Sequence, residues 1–472
     1  MIYLFNSIEF IIFLLPVMML YYIIPQKFKW VVLLGASIYF YAAFIPIYIL
    51  VLFYLILVDY AAGLLIGNSE GRKRKIFLIA SIISNVAVLF IFKYFDFINL
   101  NLQNLAHFLG WNYSIKALHL ILPIGLSFHT FQSMSYVIDV YRGKFKAEKN
   151  IGIYSLYVMF FPQLLAGPIE RPGNLLPQLK SEKKFLDINF REGFYLFIYG
   201  MFQKTIIADS LASIVDKVYA MQNPTSGQII IATIAFAIQI YCDFAGYSNM
   251  ARGVAHFLEI KLSNNFNLPY LSRTPSEFWR RWHITLSSWV RDYIYIPLGG
   301  NISKFFGLYS LFVSWFLMGL WHGAAWHFVI WGLYWFLMVA AYRFMKKFLL
   351  KLHILNHLNN KIKNLFLVLL MFMIACYGWI LFRATSIEQA MKFTRLILSG
   401  INIWDLFKFD YWYLYLSILF LAIYELLQHF HNDEIFITKK KFYYQLAFYM
   451  VLLFLYVQIG AVSNVKFLYF QF

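Results

Sequence analysis

The sequence predicts an all-α integral membrane protein that crosses the bilayer many times. The first observation is composition: 61% of the 472 residues are hydrophobic and 13% are charged, whereas a water-soluble domain has about a quarter of its residues charged. The second is a mean hydropathy of +0.65 without a compositional break, so residues 1–472 are predicted to form a single membrane domain. The third is the recurrence of apolar segments long enough to cross a bilayer.

Each predicted membrane segment is an apolar run bounded by charged residues, prolines or glycines. In chain order they are Ile8–Ile24, Trp30–Phe44, Ile47–Ile66, Ile76–Ile98, Leu118–Tyr141, Ile151–Gly167, Gly193–Val215, Gln228–Met250, Phe306–Leu320, Ala324–Tyr342, Leu365–Phe382, Tyr411–Leu427 and Gln445–Gly460. The first run lacks a basic start and a small-residue cleavage pattern, so we interpret it as a retained span and not as a signal peptide. Ile151–Gly167 is weaker and contains Pro162, and we expect it to re-enter the membrane without crossing.

Lysine and arginine fall in short clusters between these segments. The clusters include Arg72–Lys75, Arg142–Lys149, Lys180–Arg191, Arg343–Lys351 and Lys439–Lys441. They all lie on one side of the membrane if the re-entrant segment does not cross, which is the pattern of cytoplasmic loops. We therefore expect about twelve crossings, both termini outside and membrane lipids as neighbours. The formal net charge of +18 reflects this orientation and does not indicate nucleic-acid binding.

Metal and cofactor motifs give no positive indication. Cys242 and Cys376 both lie in apolar segments, which argues against disulfides and against a cysteine-built metal site. An HExxH motif and a Cys/His cluster are absent from the sequence. We expect no metal and no tightly bound cofactor.

Residues 318–332, MGLWHGAAWHFVIWG, place histidines in an apolar run without charged residues. A bilayer core offers no water to an imidazole, so such a histidine must find a partner, line a wet cavity or do chemistry. Among the eleven histidines, His322 is the candidate catalytic residue, because Gly319 and Gly323 let a substrate or another helix approach it. His322 and His327 would be about 140° apart on one helix, which argues against a shared metal.

Residues 264–300 alternate tryptophans with arginines. One interpretation is an amphipathic helix at the membrane surface, with tryptophan at headgroup level and arginine facing water. An arginine cluster facing the cytoplasm also suits the phosphates of a nucleotide-containing donor, and the two roles are compatible. The candidate residues here are Arg280, Arg281, Trp282, His283, Ser287 and Arg291.

Polar residues also occur inside the predicted spans. Gln239, Asp243 and Tyr247 are spaced i, i+4, i+8 and share a helical face; with Asn249 they are predicted to line a passage. Asp59 is expected to find local partners instead. The stretch 161–179 contains four prolines and two glycines, which predicts irregular backbone that lines a cavity, although an ordinary cytoplasmic loop is the alternative.

Several of these stretches occur as ordered motifs. They are FNSIEFIIFLLP (5–16), LPIGLSFHTFQ (122–132), FPQLLAGPIERP (161–172), CDFAGYSNMARG (242–253), residues 265–300, GLWHGAAWHFVIWG (319–332), GWILFRA (378–384) and FLYFQF (467–472). Together they resemble the membrane-bound O-acyltransferase (MBOAT) family, in its bacterial alginate and peptidoglycan O-acetyltransferase branch. The resemblance implies helices around a central tunnel, a bacterial inner-membrane location, His322 as the essential histidine and His283, at the family's second recurrent polar position, as a second catalytic candidate. It also implies that Arg280, Arg281 and Arg291 lie near the cytoplasmic mouth; Trp321 and Trp326 complete the candidate donor-binding or tunnel-lining set.

Acyl transfer requires an activated hydroxyl group and stabilisation of the oxyanion. Histidine suits the role of general base, because its ordinary pKa is about 6.5, and a transient acyl-imidazole is the open alternative. The resemblance implies acetyl-CoA as donor. It also implies a periplasmic or membrane-anchored serine esterase-like transferase that completes O-acetylation of a polysaccharide such as peptidoglycan or alginate.

Two other functions compete with this prediction. A D-alanyl-transferring MBOAT acting on teichoic acid is the nearest, but LWHGAAWHFVIWG and GPIERP are closer to the acetyl branch. A non-enzymatic transporter would explain the polar stripe and the re-entrant segment. Transporters commonly contain inverted repeats, and the sequence shows none.

Overall fold

A computed structural model describes residues 5–185, 190–351, 359–400, 412–459 and 468 of the chain. Within this part the regular structure is helical, without strands, which confirms the all-α prediction. Of the motif at 467–472 only Leu468 is among the described residues. The chain forms two compact units, residues 1–193 with 251–263 and residues 194–250 with 264–472. The expectation of a single domain stays a prediction.

The first unit is built from helices of moderate length. Its α-helices among the described residues are α1 Ile8–Ile23, α2 Lys29–Ala42, α3 Ile49–Gly67, α4 Gly71–Leu89, α5 Phe95–Leu109, α6 Leu126–Tyr141, α7 Ile151–Met159 and α8 Pro172–Lys180. Helix α3 packs against α4 and α6, and α2 packs against α1 and α7. Gly63 permits the close contact of α3 with α6, because a β-carbon there would lie 2.6 Å from the Tyr136 ring.

Asp59 joins three helices of the first unit. Its carboxylate accepts hydrogen bonds from Ser81 Oγ at 2.6 Å and from Asn85 Nδ2 at 2.8 Å on α4, and from Ser133 Oγ on α6. The carboxylate is fully buried, and these donors replace the water that it loses. The prediction of local partners for Asp59 is confirmed.

The predicted irregular segment follows α7. Helix α7 ends at Met159, and residues 160–171 are turns and extended backbone whose side chains are almost all buried. Glu170 accepts hydrogen bonds from the Ser263 amide and from Asn174 Nδ2, each at 2.5 Å. The prediction of irregular backbone is confirmed for residues 161–171, which lie inside protein. It is wrong for residues 172–179, because Pro172–Lys180 forms the helix α8 with Pro172 in its first turn.

The second unit contains the remaining helices. Among the described residues these are α9 Phe190–Met201, α10 Asp209–Tyr219, α11 Ser226–Phe257, α12 Pro275–Arg281, α13 Ile284–Val290, α14 Lys304–His322, α15 Trp326–Lys351, α16 Asn360–Arg383, α17 Ile387–Leu398, α18 Trp412–His431 and α19 Phe442–Ile459. A π-helical turn, Phe202–Ala208, joins α9 to α10, and another, Arg291–Tyr295, follows α13. The residues after Met250 at the end of α11 belong to the first unit.

Seven helical stretches in the described part are long and apolar enough to cross a membrane. They are Pro46–Gly67, Gly71–Leu109, Ser226–Phe257, Lys304–His322, Trp326–Lys346, Asn360–Arg383 and Phe442–Ile459. Each coincides with a predicted segment, which confirms a membrane protein with multiple apolar helices. Helix α1, with 16 residues, is shorter, and the count of about twelve crossings stays a prediction.

Candidate active site

His322 is the last residue of α14, which forms a tight hairpin with α15. Two glycines allow this packing. A β-carbon on Gly319 would lie 2.5 Å from the Phe328 carbonyl oxygen, and one on Gly332 would collide with the Trp315 carbonyl oxygen. A neighbouring helix therefore occupies the space beside Gly319, and the same contact brings the aromatic side chains of α15 next to His322.

Aromatic rings surround His322. Its ring centroid lies 4.8 Å from that of Trp321, 4.8 Å from that of Trp331 and 5.2 Å from that of Phe382. The histidine is 6% exposed. Such packing holds an imidazole in one orientation, which positions it for proton transfer or nucleophilic attack.

His283 lies between α12 and α13 in the left-handed backbone region, with φ of 42°. A non-glycine residue in this region is strained, and such strain is concentrated at functional sites. The ring is 1% exposed and lies 4.5 Å from Phe244 and 5.9 Å from Trp321. Since Trp321 also contacts His322, the structure brings both predicted histidines to the same indole.

Local hydrogen bonds explain why the chain bends at His283. Thr274 caps α12 by accepting a hydrogen bond from the Glu277 amide at 3.1 Å. After the bend, the Ile284 amide donates to the Asn265 carbonyl at 2.9 Å, and Thr285 Oγ1 donates to Asn265 Oδ1 at 2.6 Å. Burial lowers the pKa of His283 to about 3, so the imidazole is neutral at physiological pH.

The surface-helix interpretation of residues 264–300 is wrong for the tryptophans. Trp279, Trp282 and Trp289 are 7%, 1% and 3% exposed, so they are core residues and not headgroup anchors. Trp282 contacts Tyr241 and Trp379. Its predicted role in lining a tunnel stays a prediction. The segment is two short helices because the bend at His283 divides it, which turns its tryptophans inward.

A cavity of about 410 Å³ lies along α14, and we call it the α14 cavity. Helix α14 lines it with Leu311, Ser314, Trp315 and Met318. His322 continues this face of the helix one turn, about 6 Å, beyond Met318. His322 itself is not among the lining residues. Within the described residues the Ser314 hydroxyl has no hydrogen-bond partner, so the cavity contains a polar atom that a ligand could engage.

Three arginines line the α14 cavity: Arg280, Arg291 and Arg343. The predicted residue Ser287 lines it as well, and its hydroxyl donates to the Trp282 carbonyl at 3.2 Å. Guanidinium groups bind phosphate oxygens in bidentate geometry. The sequence analysis placed Arg343 only in a cytoplasmic charge cluster. Arg343 lines the same cavity as Arg280, and the site prediction missed it.

Arg280 also lines a second cavity, of about 520 Å³. We call it the arginine cavity, because Arg273, Arg280 and Arg281 line it. Glu277 pairs with Arg281 at 3.0 Å. The predicted arginines thus lie together at cavity walls, Arg280 and Arg291 at the α14 cavity and Arg280 and Arg281 at the arginine cavity.

The polar stripe of α11 lies in the protein interior. Gln239, Asp243 and Tyr247 are all buried, at 3%, 2% and 3% exposure. Asp243 forms an ion pair with Lys204 Nζ at 2.6 Å and accepts a hydrogen bond from the Leu468 amide at 2.8 Å. Asp243 is therefore a buried carboxylate stabilised by a cation within the protein, and its predicted place along a passage stays a prediction.

Lys204 was not selected from the sequence. It lies in the π-helical turn after α9 and contacts both Asp209 and Asp243 at 2.6 Å. Gly200 makes this possible, because a β-carbon there would lie 2.5 Å from the Gly246 carbonyl oxygen of α11. A lone lysine within an apolar segment, followed by an aspartate five residues later, was the available signal.

Other candidate residues lie apart from His322. Asn249 donates to Gln203 Oε1 at 2.8 Å and lines a separate polar cavity. Trp326 is 52% exposed and lines neither the α14 cavity nor the arginine cavity, and its predicted role stays a prediction. His327 lines a groove of about 660 Å³ beside α17, on a different side of the hairpin from the α14 cavity residues.

The fold and these residues define a polytopic α-helical membrane protein with a buried histidine beside an arginine-lined cavity. Residues 150–384 match the model of the MBOAT family, described as membrane-bound O-acyltransferase. The chain belongs to this family.

Three relatives indicate the range of similar proteins. The protein named probable alginate O-acetylase AlgI of Pseudomonas aeruginosa is 37% identical over 84% of this chain and 75% of the relative. The peptidoglycan O-acetyltransferase of Helicobacter pylori is 34% identical over 86% of this chain and 82% of the relative. The teichoic acid D-alanyltransferase of Bacillus subtilis is 27% identical over 56% and 69%. The chain is therefore an O-acyltransferase, and the transporter alternative is wrong.

Proposed function

We propose that this O-acyltransferase takes an acetyl group from cytoplasmic acetyl-CoA and passes it across the membrane to O-acetylate a cell-envelope or extracellular polysaccharide. The acceptor is peptidoglycan or an alginate-like polymer, as in the names of the relatives with 34% and 37% identity. A periplasmic or membrane-anchored serine esterase-like transferase completes the ester outside. The chain lies in the bacterial inner membrane with both termini outside.

The observation that carries the proposal is the position of His322 one helical turn beyond the α14 cavity. Arg280, Arg291 and Arg343 line this cavity and bind the donor phosphates. The pantetheine arm of the donor lies against Trp279 and Trp315, whose ring centroids are 4.7 Å apart. Met318 is a flexible side chain, and its movement opens the last turn toward His322.

Two chemical courses lead from this geometry to acyl transfer. In the first, His322 removes the proton of the hydroxyl group that first receives the acetyl group, and the oxygen of this hydroxyl then attacks the thioester carbonyl. In the second, the imidazole attacks first and passes the acetyl group to the hydroxyl. In both, the carbon–sulfur bond breaks, a carbon–oxygen bond forms and the hydroxyl proton ends on the CoA thiol.

The experiment compares His322→Ala with His327→Ala in cells that also express a partner transferase. We expect His322→Ala to reduce polymer acetylation at least about a hundredfold, since it removes the reacting imidazole. His327→Ala, in the same segment but beside α17, keeps wild-type acetylation. Full acetylation by a stably expressed His322→Ala variant contradicts the proposal.

The acyl group and the partner are tested on the same cells. Mass spectrometry of the polymer distinguishes an acetyl ester from a D-alanyl ester, which the relative with 27% identity makes the second candidate. We expect acetyl. Deletion of every serine esterase-like partner should abolish polymer acetylation, and acetylation that persists without them contradicts the relay.

A further inference from the structure

Three cavities of the second unit share arginine walls. Arg280 lines both the α14 cavity and the arginine cavity, and Arg281 lines both the arginine cavity and a third cavity of about 270 Å³. The three cavities therefore follow one another in the order α14 cavity, arginine cavity and third cavity, each sharing an arginine with the next. A ligand whose phosphates lie at the arginines can extend toward His322 in one direction and into the third cavity in the other.

The third cavity is lined by amides and aromatic rings, and we call it the amide cavity. Its amide side chains are Gln203, Asn249, Asn264, Asn267, Gln428 and Asn432. Its carboxylates already have partners: Asp433 pairs with Lys439 at 2.7 Å, and Glu434 accepts from Asn264 Nδ2 at 2.8 Å. The cavity is thus polar without a strong net charge, which suits a neutral ring rich in hydrogen-bonding atoms, such as a purine base.

Two tyrosines of α9 line the amide cavity in different bonding states. Tyr195 donates to the Glu434 carbonyl at 2.9 Å and accepts from Tyr424 at 2.8 Å. Tyr199 stacks on Tyr195 with ring centroids 5.7 Å apart and is 3% exposed. Within the described residues its hydroxyl has no hydrogen-bond partner. A buried hydroxyl without a partner costs free energy that a bound ligand would recover.

Asn267 is fixed beside the arginine wall. Its amide nitrogen donates to the Arg281 carbonyl at 2.9 Å, and Arg281 Nη1 donates to the Asn267 carbonyl at 3.2 Å. The Asn267 side chain is exposed and lines the cavity. Asparagine and glutamine amides match the donor–acceptor pair on adenine, and aromatic rings such as Phe266 stack on bases.

We infer that the amide cavity binds the nucleoside end of the acyl donor, with the donor phosphates at Arg280 and Arg281 and the acyl arm in the α14 cavity. The inference rests on the proposed function, because it assumes a CoA-type donor. It adds a selectivity: the enzyme distinguishes a nucleotide thioester from the same acyl arm carried by a protein. An acyl carrier protein has the phosphopantetheine arm without the nucleoside, so it would leave the amide cavity empty.

The experiment measures the affinity of the purified full chain in nanodiscs for CoA and for 4′-phosphopantetheine, which lacks the nucleoside together with its 3′-phosphate and one phosphate of the diphosphate; the cavity variants below assign the difference to the nucleoside. We expect the wild type to bind CoA at least about tenfold more tightly. Tyr199→Phe and Asn267→Leu should each weaken CoA binding about threefold to tenfold and leave phosphopantetheine binding unchanged. Tyr199→Phe should not reduce thermal stability, because it breaks no bond within the described residues.

Tyr424→Phe is the matched control. It removes the hydroxyl that donates to Tyr195 and lies outside the cavity wall, so it should lower stability and keep CoA affinity. Equal affinities of the wild type for both ligands, or variants that weaken both ligands alike, overturn the nucleoside site but leave the proposed function intact. If the wild type binds neither ligand, the CoA donor itself is wrong.

Discussion

Trp331 packs edge-on against His322, with ring centroids 4.8 Å apart and ring planes at 84°. The contact fixes the imidazole, so its loss should misplace the reacting nitrogen. We expect Trp331→Ala to lower the acetyl-transfer rate by about tenfold to a hundredfold, and Trp331→Phe to stay within about threefold. Initial rates in membrane vesicles at matched protein levels measure this. Trp111→Ala, at a position that is 67% exposed, is the control, and a wild-type rate in Trp331→Ala would contradict the positioning role.

Two glycine-to-alanine substitutions should change stability in opposite directions, one at the contact between α14 and α15 and one away from it. Gly319→Ala places a methyl group 2.5 Å from a backbone oxygen, which forces the hairpin apart and should reduce both stability and activity. Gly35→Ala in α2 meets no atom within 4 Å, so it should stabilise by about 0.4–1 kcal/mol through the unfolded state. Thermal unfolding in detergent and transfer assays compare them. If both substitutions changed stability and activity equally, the hairpin would tolerate separation of α14 from α15, contrary to this prediction.

The Lys204 ion pairs predict unequal costs for their members. Lys204→Met leaves the Asp209 and Asp243 carboxylates buried without their cation, and we expect a loss of about 3–5 kcal/mol. Asp209→Asn should cost less, because Lys204 keeps its contact of 2.6 Å with Asp243. Denaturant unfolding in detergent measures both. Equal losses would indicate that the lysine does not act as the shared partner.

His283 predicts a pH dependence of stability, since it lies outside the seven candidate membrane spans. Burial lowers its pKa to about 3, whereas an unfolded imidazole has a pKa of about 6.5. Between these values the unfolded state binds the additional proton. The stability due to this group is therefore complete above pH about 6.5 and falls as the pH decreases, by at most about 1.4 kcal/mol per pH unit.

The variant His283→Asn tests this pH dependence, because asparagine does not titrate. Its stability should depend less on pH than that of the wild type between pH about 4 and 6.5. Unfolding free energies measured at several pH values give the two slopes. Parallel slopes for wild type and variant would show that His283 does not remain neutral in the folded protein.

The sequence predicted the helices well because hydropathy and helix-ending residues are local properties of the chain. The segment predicted at Phe306–Leu320 is the helix Lys304–His322, and the irregular backbone after Met159 follows from its prolines. His322 could be selected because an imidazole in an apolar run is unusual in any fold. The arginines after Pro275 could be selected because they form a cluster of cations among tryptophans.

Only the tertiary structure decided which groups face each other. The spacing of Gln239 and Asp243 shows a common helical face, but it does not show that Lys204, distant in the sequence, lies against that face. The tryptophans beside His283 have a composition typical of a membrane surface, yet one strained residue turns them into the core. Likewise, the place of Arg343 beside Arg280 depends on packing between separate helices. The spacing of residues along one helix determines which face of the helix a side chain occupies. Which residue packs against that face depends on where folding places distant parts of the chain.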